Sequence, residues 1–433
     1  MSDILVAREA RSTHIQSLMG EFKFKTIAVL KLNVVGKNKN PINMRFICLL
    51  FDNEIRKEFG DKIIRSEKVE SEDGDYIYYV INEEGNIVKQ KTIYIEDNTY
   101  LGRLVDVDVY NETSISREDM SCEMRTCLIC DNYAHICSRN QTHSQKEVLQ
   151  AVNLLIEEYL TDILLNSVMH SIHDELEMFP KFGLVSKRDS GSHSDMDYET
   201  FIQSIFSIKP YIKEYILYGI RGHDNPKELQ KIGLEAEEAM FKATNNINTQ
   251  KGLIFALGLF LPALSKSIVN NRNEAYIISE IQRTSIEIIG DYYSKVEDKT
   301  LKTHGDQVYL DYGVKGIRGE ALKGFRMLFE NESHSDQEYD DKNHQYMIDI
   351  LTTLCDTTVI HKKGFKTMKQ IQTDMDEINK NGGYISNKEL FTIISETYKK
   401  QGISPGGASD LLVLKMIYEN VKYLICHSEY CGI

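Results

Sequence analysis

Residues 101–143 read LGRLVDVDVYNETSISREDMSCEMRTCLICDNYAHICSRNQTH, and their pattern decides how the rest of the chain divides. The first part alternates: over a strand predicted at 102–110, Val105, Val107 and Val109 fall on one face and Leu104, Asp106 and Asp108 on the other. Aspartate is disfavoured in strands, so two on one valine-rich strand ask for a reason. Residues two apart rise about 7 Å along a strand, close enough for both carboxylates to share a hard cation such as Mg2+. The alternative is the solvated face of an edge strand. The second part is a cysteine and histidine run, Cys127-x2-Cys130-x4-His135-x-Cys137, flanked by Cys122 and His143. A C-x2-C step opens many zinc and thiol-redox sites, but candidates only one residue apart match neither a standard finger nor a ribbon. Two states stay open: Zn2+ on Cys127, Cys130, His135 and Cys137, or reduced thiols around a tight loop.

Upstream, apolar spacing predicts a helix over 5–21 that carries Arg8 and Arg11 three residues apart. A strand over 24–35 empties into Val35-Gly36-Lys37-Asn38-Lys39-Asn40-Pro41, which is either a phosphate cradle or a surface turn. A helix over 43–58 follows, then strands over 76–81 and 92–95 separated by a turn at 83–86. This half is an α+β domain.

Downstream of residue 144 the period changes to 3.6 and stays there, with amphipathic segments near 197–209, 226–244, 251–270, 273–296, 341–360 and 408–425. Pro226 suits a first helical position and Pro210 the end of a helix. No strand alternation follows 145, so this half is all-α. Its polar motifs sit at helix ends. Ser194 and Asp197 are in capping-box register, yet Asp189, His193, Asp195 and Asp197 together exceed what one cap needs. Asp356 and His361 follow a long apolar helix, glycines punctuate the segment around Arg318 and Glu320, and Ser404-Pro405-Gly406-Gly407 runs into another helix. Backbone N–H groups at such a start can hold phosphate oxygens, with Lys251 or Arg318 supplying charge. No G-x4-G-K-[ST] occurs, which excludes ordinary P-loop chemistry.

The 433 residues carry a formal charge of -14. Lys+Arg number 20 against 24 Asp+Glu over residues 1–150, and 31 against 41 beyond, so both parts are acidic. An acidic surface offers no basic field for nucleic acid. The greasiest run, 253–264, is broken by Pro262 and too short for a bilayer of about 20 residues' depth, and the N-terminus has no apolar signal core, so a cytoplasmic protein with no membrane partner is expected. Eight cysteines in so long a chain fit reduced thiols.

These residues carry two resemblances. Residues 5–145 resemble the citrate lyase holo-acyl-carrier-protein synthase family, also called apo-citrate lyase phosphoribosyl-dephospho-coenzyme A transferase. The likeness runs through Arg8-Glu9-x-Arg11 with Gln16, Leu32-Asn33-x-x-Gly36-x-x-Lys39, Leu101-Gly102-Arg103-Leu104-x-Asp106-x-Asp108-Val109, and Arg125-x-Cys127-x-x-Cys130 to His143-Ser144. Where that family has proline on both sides of Gly36, this chain has Val35 and Lys37. Residues from about 150 to 425 resemble triphosphoribosyl-dephospho-coenzyme A synthase. This likeness runs through Pro180-Lys181-x-Gly183, Asp189 to Asp197, Gly233-Leu234-Glu235-Ala236-Glu237, Asn248-Thr249-x-Lys251-Gly252, Thr303-His304-Gly305, Tyr312-Gly313 to Glu320, Asp356-Thr357 to His361, and Ser404-Pro405-Gly406-Gly407 to Asp410. Phe182, Gln250 and Thr358 replace the family's proline, histidine and asparagine, and Gln250 weakens any proton-transfer role there.

The resemblances imply a bifunctional enzyme with residues 1–145 as a nucleotidyltransferase-like transfer domain and 146–433 as an all-α synthase domain. ATP and 3'-dephospho-CoA would give 2'-(5''-triphosphoribosyl)-3'-dephospho-CoA and adenine; a serine of the apo acyl carrier protein of citrate lyase would then accept the group and pyrophosphate would leave. They imply catalytic work for Asp106, Asp108, Asp195, Asp197 and Asp356, with Mg2+ on Asp106 and Asp108 and on Asp195 and Asp197. Substrate contacts are implied at Arg8, Gly36, Lys39 and Arg103 in the first domain. In the second they are implied at Lys181, Asp189, His193, Glu235, Asn248, Lys251, His304, Arg318, Glu320, His361, Gly406, Gly407 and Asp410. Rival readings are a metal-dependent nucleotide hydrolase and a zinc-bearing module that binds the carrier protein.

Overall fold

The computed structural model describes residues 3–298, 302–330 and 338–425. By internal contacts the chain divides into two compact units: one holds the chain up to Leu160, Ile268–Asn271 and the chain from Tyr423, and the other holds Thr161–Ser267 and Arg272–Lys422.

The first unit is built on five antiparallel strands, β1 (Thr26–Leu32), β2 (Ile63–Val69), β3 (Tyr76–Ile81), β4 (Val105–Asn111) and β5 (Thr113–Ile115), in the order β2-β3-β1-β4-β5. Three longer helices, α1 (Asp3–Glu21), α2 (Arg45–Phe59) and α3 (Gly85–Asn98), cover it. Ile15 and Leu18 of α1 pack on Ile27, Val29, Tyr76, Tyr78 and Val80. The alternate residues Ala28, Leu30, Ile77, Tyr79, Val105, Val107 and Val109 are buried on the opposite face, where the Tyr79 hydroxyl donates to Asp52 of α2 at 2.6 Å and Lys89 of α3 to the Val107 carbonyl at 2.9 Å. This two-sided cover explains why the central strands read as nearly continuous apolar runs.

Three expectations change here. Residues 92–95 belong to α3, which begins at Gly85 inside the turn expected at 83–86 and whose buried residues Gly85, Val88, Lys89, Thr92, Ile93, Ile95 and Glu96 repeat at helical spacing. A β-rich tetrapeptide is outvoted by the period of its surroundings. Residues 102–104 form a 3-10 turn, so β4 starts at Val105 and Leu104 leaves the aspartate face. The turn is close: a Cβ on Gly102 would sit 1.8 Å from the Glu96 carbonyl oxygen. Strand β2 was not foreseen, because its sequence IIRSEKV is an exposed edge whose charges hide the alternation.

Helices α4 (Ala134–Asn140) and α5 (Gln145–Glu177) follow the cysteine run, and α5 crosses the division between the units. The second unit continues with α6 (Tyr198–Ile220), α7 (Pro226–Ala243), α8 (Lys251–Val269), α9 (Glu274–Ile289), α10 (His304–Tyr312) and α11 (Gly316–Leu322). It ends with α12 (Tyr339–Thr353), α13 (Thr357–Lys363), α14 (Phe365–Lys380), α15 (Gly383–Ser386), α16 (Lys388–Lys400) and α17 (Gly406–Val421). No strand occurs among its described residues. Helix α8 is long and apolar enough to cross a membrane, yet 78% of that apolar window is buried inside the protein, as expected of a core helix. Pro210 lies inside α6 instead of ending it. The carbonyl it cannot serve is that of Phe206, whose side chain is 66% exposed, so water can reach that turn. The segment 341–360 is two helices, because Asp356 caps α13 and restarts the helix after Thr353.

Candidate functional sites

In the first unit, antiparallel register sets Lys31 of β1 opposite Asp106 and Val29 opposite Asp108. Side chains opposite one another share a face. The Lys31 ammonium lies 2.6 Å from Asp108 and 3.4 Å from Asp106, and the two carboxylates are 33% and 40% exposed. Burial pulls the lysine pKa down, but the charges of Asp108 and Asp106 outweigh it and leave it above the ordinary lysine value. Both aspartates are legible in the sequence; the lysine is not, because it sits as an unremarkable residue at the end of an apolar strand.

The other expected phosphate contacts are spoken for. Arg8 and Arg11 each hold a carboxylate oxygen of Asp73 at 2.9 Å, and Lys39 donates to the Val34 carbonyl at 2.9 Å. Gly36 has φ +98°, and a Cβ there would lie 2.3 Å from the Gln145 amide nitrogen, so the loop needs glycine. Arg103 donates to the Thr126 carbonyl. Burial and the neighbouring Arg125 and Arg117 lower its pKa.

Cys127, Cys130, Cys137 and His143 bring four ligand atoms within 4.8 Å of one another, a group able to hold a metal ion. Cys130 Sγ lies 3.3 Å from His143 Nε2 and 3.6 Å from Cys137 Sγ. His135, expected as a ligand, is outside the group and stacks on Tyr133 with ring centroids 5.9 Å apart. The reason is helical geometry: one residue after Ala134, His135 leaves on a different side of α4 from Cys137. Burial raises the Cys127 thiol, but N–H bonds from Ile129 and Cys130 and the neighbouring thiols bring it down to about 7. Burial and the same neighbours push Cys137 up to about 11.

In the second unit the starts of α8, α13 and α17 supply the candidate site. Asp356 Oδ1 accepts the N–H groups of Thr358 and Val359 at 2.7 and 3.2 Å, and its Oδ2 accepts that of Ala408 at 3.1 Å. One carboxylate thus caps α13 and clamps the first turn of α17. Burial raises its pKa against the pull of these bonds. Asp410, one turn later, faces Gly252 of α8 so closely that a Cβ on that glycine would lie 2.1 Å from Asp410 Oδ2. Its pKa is driven well up by burial and by the charges of Asp356 and Glu175. Glu175 of α5 accepts from Ser409 Oγ at 2.7 Å and from Lys181 at 3.0 Å. Three carboxylates therefore gather around the start of α17, and Glu175, in the last turn of α5, was not anticipated because only helix packing brings it to Ser409.

Around this centre, His193 Nε2 lies 2.8 Å from Ser404 Oγ, directly before α17. Burial lowers the His193 pKa, with Lys362 adding to it. His304 and His361 stack at 3.9 Å between ring centroids. Arg318 lies 4.3 Å over the Tyr292 ring and 3.9 Å from Asp306. Lys251 pairs with Glu237 at 2.6 Å, and Asn248 accepts the Lys251 N–H at 3.3 Å. Beside that pair, Tyr215, Leu229, Leu234, Glu237, Phe255 and Ile288 line a cavity of about 310 Å3.

The remaining expected residues serve structure or face solvent. Lys181 is buried on Glu175, Asp189 pairs with Lys399 at 2.7 Å, and Glu320 pairs with Lys323 at 2.8 Å. The capping box is Asp197 with Thr200, not Ser194 with Asp197. Asp195 is 62% exposed and Glu235 lies 3.8 Å from Lys231 on the surface of α7. Gln250 is buried, accepting from Ser204 at 2.7 Å.

A family model described as ATP:dephospho-CoA triphosphoribosyl transferase, CitG, matches residues 164–425, more than half the chain. A second, described as apo-citrate lyase phosphoribosyl-dephospho-CoA transferase, CitX, matches residues 1–159. Protein CitXG of Leuconostoc mesenteroides is 28% identical over 96% of this chain and 95% of its own length, and protein CitXG of Haemophilus influenzae is 26% identical over the same shares. A probable 2-(5''-triphosphoribosyl)-3'-dephosphocoenzyme-A synthase of Streptococcus mutans is 33% identical over 58% of this chain and 93% of its own. The chain belongs to the ATP:dephospho-CoA triphosphoribosyl transferase family and is a bifunctional fusion that carries the apo-citrate lyase phosphoribosyl-dephospho-CoA transferase family ahead of it.

Proposed function

We propose that the protein makes and attaches the citrate lyase prosthetic group in two successive reactions, synthesis in residues 146–433 and transfer in residues 1–145. In synthesis, a hydroxyl of 3'-dephospho-CoA attacks ribose C1' of ATP, the bond to adenine breaks, and the triphosphate stays on the ribose. The carboxylates of Asp356 and Glu175 are the donors suited to Mg2+ on that triphosphate, and Asp410, which burial makes a stronger base than an ordinary carboxylate, is suited in its ionised form to take the hydroxyl proton. His193, Lys251 and Arg318 supply positive or N–H groups, and the ring nitrogens of the His304/His361 stack serve the departing base. The cavity along α7, α8 and α9 takes the largely apolar pantetheine arm; at about 310 Å3 it falls in the size range of ligand pockets.

In transfer, a serine hydroxyl of the carrier protein attacks the α-phosphorus of the triphosphoribosyl group, the new O–P bond replaces the bond to pyrophosphate, and the serine proton leaves to solvent or pyrophosphate. This is nucleotidyltransferase-type chemistry. Mg2+ held by Asp106 and Asp108 would neutralise the phosphates and favour in-line displacement. Lys31 and Arg103 bind phosphate oxygens from the same end of the sheet. The Cys/His group has the soft and borderline donors that suit Zn2+.

The observation that carries this reading is the Lys31, Asp106 and Asp108 constellation, a cation within 3.4 Å of two paired carboxylates on a half-exposed sheet face. The test is mass spectrometry of apo carrier protein with ATP, 3'-dephospho-CoA and Mg2+. Asp106→Asn is expected to cut carrier modification by at least about 100-fold while adenine release continues at the wild-type rate. Equal loss of both activities in a folded variant would overturn the two-site assignment.

A further inference from the structure

We propose that a Zn2+ ion on Cys127, Cys130, Cys137 and His143 positions Arg103 and Arg125 beside the strand that carries Asp106 and Asp108. Between Glu112 and Ser144 only Cys137 is buried, so no apolar core fixes this stretch. A segment that orders its backbone without a core needs a staple. Three thiols and one imidazole whose ligand atoms lie within 4.8 Å of one another supply the donor count and type of a closed tetrahedral zinc site. Binding releases the three thiol protons and uses the imidazole neutral.

The staple closes a hairpin that reaches β4. Thr126 bridges Tyr133, the Cys127 N–H donates to the Asn132 carbonyl at 2.7 Å, and the Ala134 N–H donates to the Arg125 carbonyl at 2.9 Å. Two residues before the first ligand, Arg125 donates to the Val105 carbonyl at 2.9 Å and pairs with Glu96 at 2.5 Å. Glu96 also accepts the Val107 N–H at 2.7 Å, so Arg125 and Glu96 grip both neighbours of Asp106. The Thr126 carbonyl accepts from Arg103. Fixing Cys127 therefore fixes the carbonyl that aims Arg103, a positioning role taken by outer partners at many metal sites.

This proposal rests on placing transfer at the Asp106/Asp108 strand. Full-length protein grown with zinc and then dialysed is expected to hold about one zinc per chain by plasma mass spectrometry. His143→Ala and Cys130→Ser are expected to lose at least tenfold in zinc affinity, whereas His135→Ala keeps its metal. The KM for the triphosphoribosylated substrate in transfer is expected to rise at least tenfold in His143→Ala, with adenine release as the internal check that the chain has folded. Arg103→Ala is expected to raise the same KM while retaining zinc. Zinc-free wild-type protein, zinc lost from His135→Ala but kept by His143→Ala, or unchanged transfer in zinc-free protein or in Arg103→Ala would each overturn the proposal. Zinc bound as stated, together with full transfer by Asp106→Asn, would overturn the placement of transfer and leave the zinc ligation standing.

Discussion

Single residues decide how charge is stored in both units. Lys31 neutralises Asp106 and Asp108 in the absence of any other cation, so it competes with a metal for the same oxygens. Lys31→Met is therefore expected to tighten Mn2+ or Mg2+ binding to the protein, read by calorimetry without nucleotide, and yet to slow transfer by about 10- to 1,000-fold because a phosphate contact is gone. A weaker metal affinity in that variant would show that the lysine does not share the carboxylates' site. Asp410 poses the opposite problem. Its folded pKa is raised by burial and by Asp356 and Glu175, so the folded state holds its proton more tightly than the unfolded chain does. The contribution of Asp410 to stability is then greatest below the usual carboxylate range and falls as pH rises through it toward the folded value. Asp410→Asn is expected to abolish adenine release while flattening that decline, raising the metal-free Tm at neutral pH by about 2–4 °C, the shift that roughly 1 kcal/mol gives a unit of this size. Calorimetric melts from pH 4 to 8 check it.

At the scale of elements, close approaches carry the second site. Gly252 lets α8 meet Asp410, and a Cβ on Gly407 would come within 3.0 Å of Asp356 Oδ2. Gly252→Ala is expected to cost about 1–3 kcal/mol and to suppress adenine release, measured by thermal melt and by chromatography of adenine. Elements whose period matches their burial were legible from sequence: α1, α5 and α7 by their 3.6 repeat, β4 by the Val/Asp alternation. Helix α3 was not, since Thr92 to Ile95 is β-rich locally and helical only in context, and β2 was not, since an exposed edge has no apolar face to alternate. The site was legible in part for the same physical reason. Asp106, Asp108, Asp356 and Asp410 stand in short polar motifs, whereas Lys31, Glu175 and His143 act through pairings that only strand register or helix packing creates. Along the α7 to α9 cavity, Leu234 is 66% exposed at the rim, and Leu234→Glu is expected to raise the KM for 3'-dephospho-CoA about tenfold with little change in that for ATP.

At the scale of the whole molecule, the two family models match residues 1–159 and 164–425, close to where the chain divides into two compact units, and the curated fusions span 96% of this chain. Each unit has its own core: the valine-rich sheet between α1 and α2 with α3 in one, the buried runs of α8 and α17 in the other. Damage to one centre should leave the other working. Asp106→Asn and Asp410→Asn are each expected to fail in modifying the carrier protein alone, and an equimolar mixture is expected to restore modification, because intermediate made by one chain can be used by another. A mixture as inactive as its components would show that the intermediate is never released.

Helix α8 has a consequence for how the chain is made. Its neighbours arrive at different times: Ile216 of α6, whose carbonyl accepts from Ser265 at 3.1 Å, is synthesised before it, and Glu280 of α9, which pairs with Lys266 at 2.7 Å, follows shortly after. The α17 turn that faces Gly252 begins only at Gly406, 137 residues beyond Val269. At 5–20 residues per second that gap lasts roughly 7 to 27 s. For that interval the nascent chain carries an apolar helix of bilayer-spanning length without the α17 turn that faces it, so the time for which that face stays uncovered during synthesis is set by the distance along the message between two helices that end up touching.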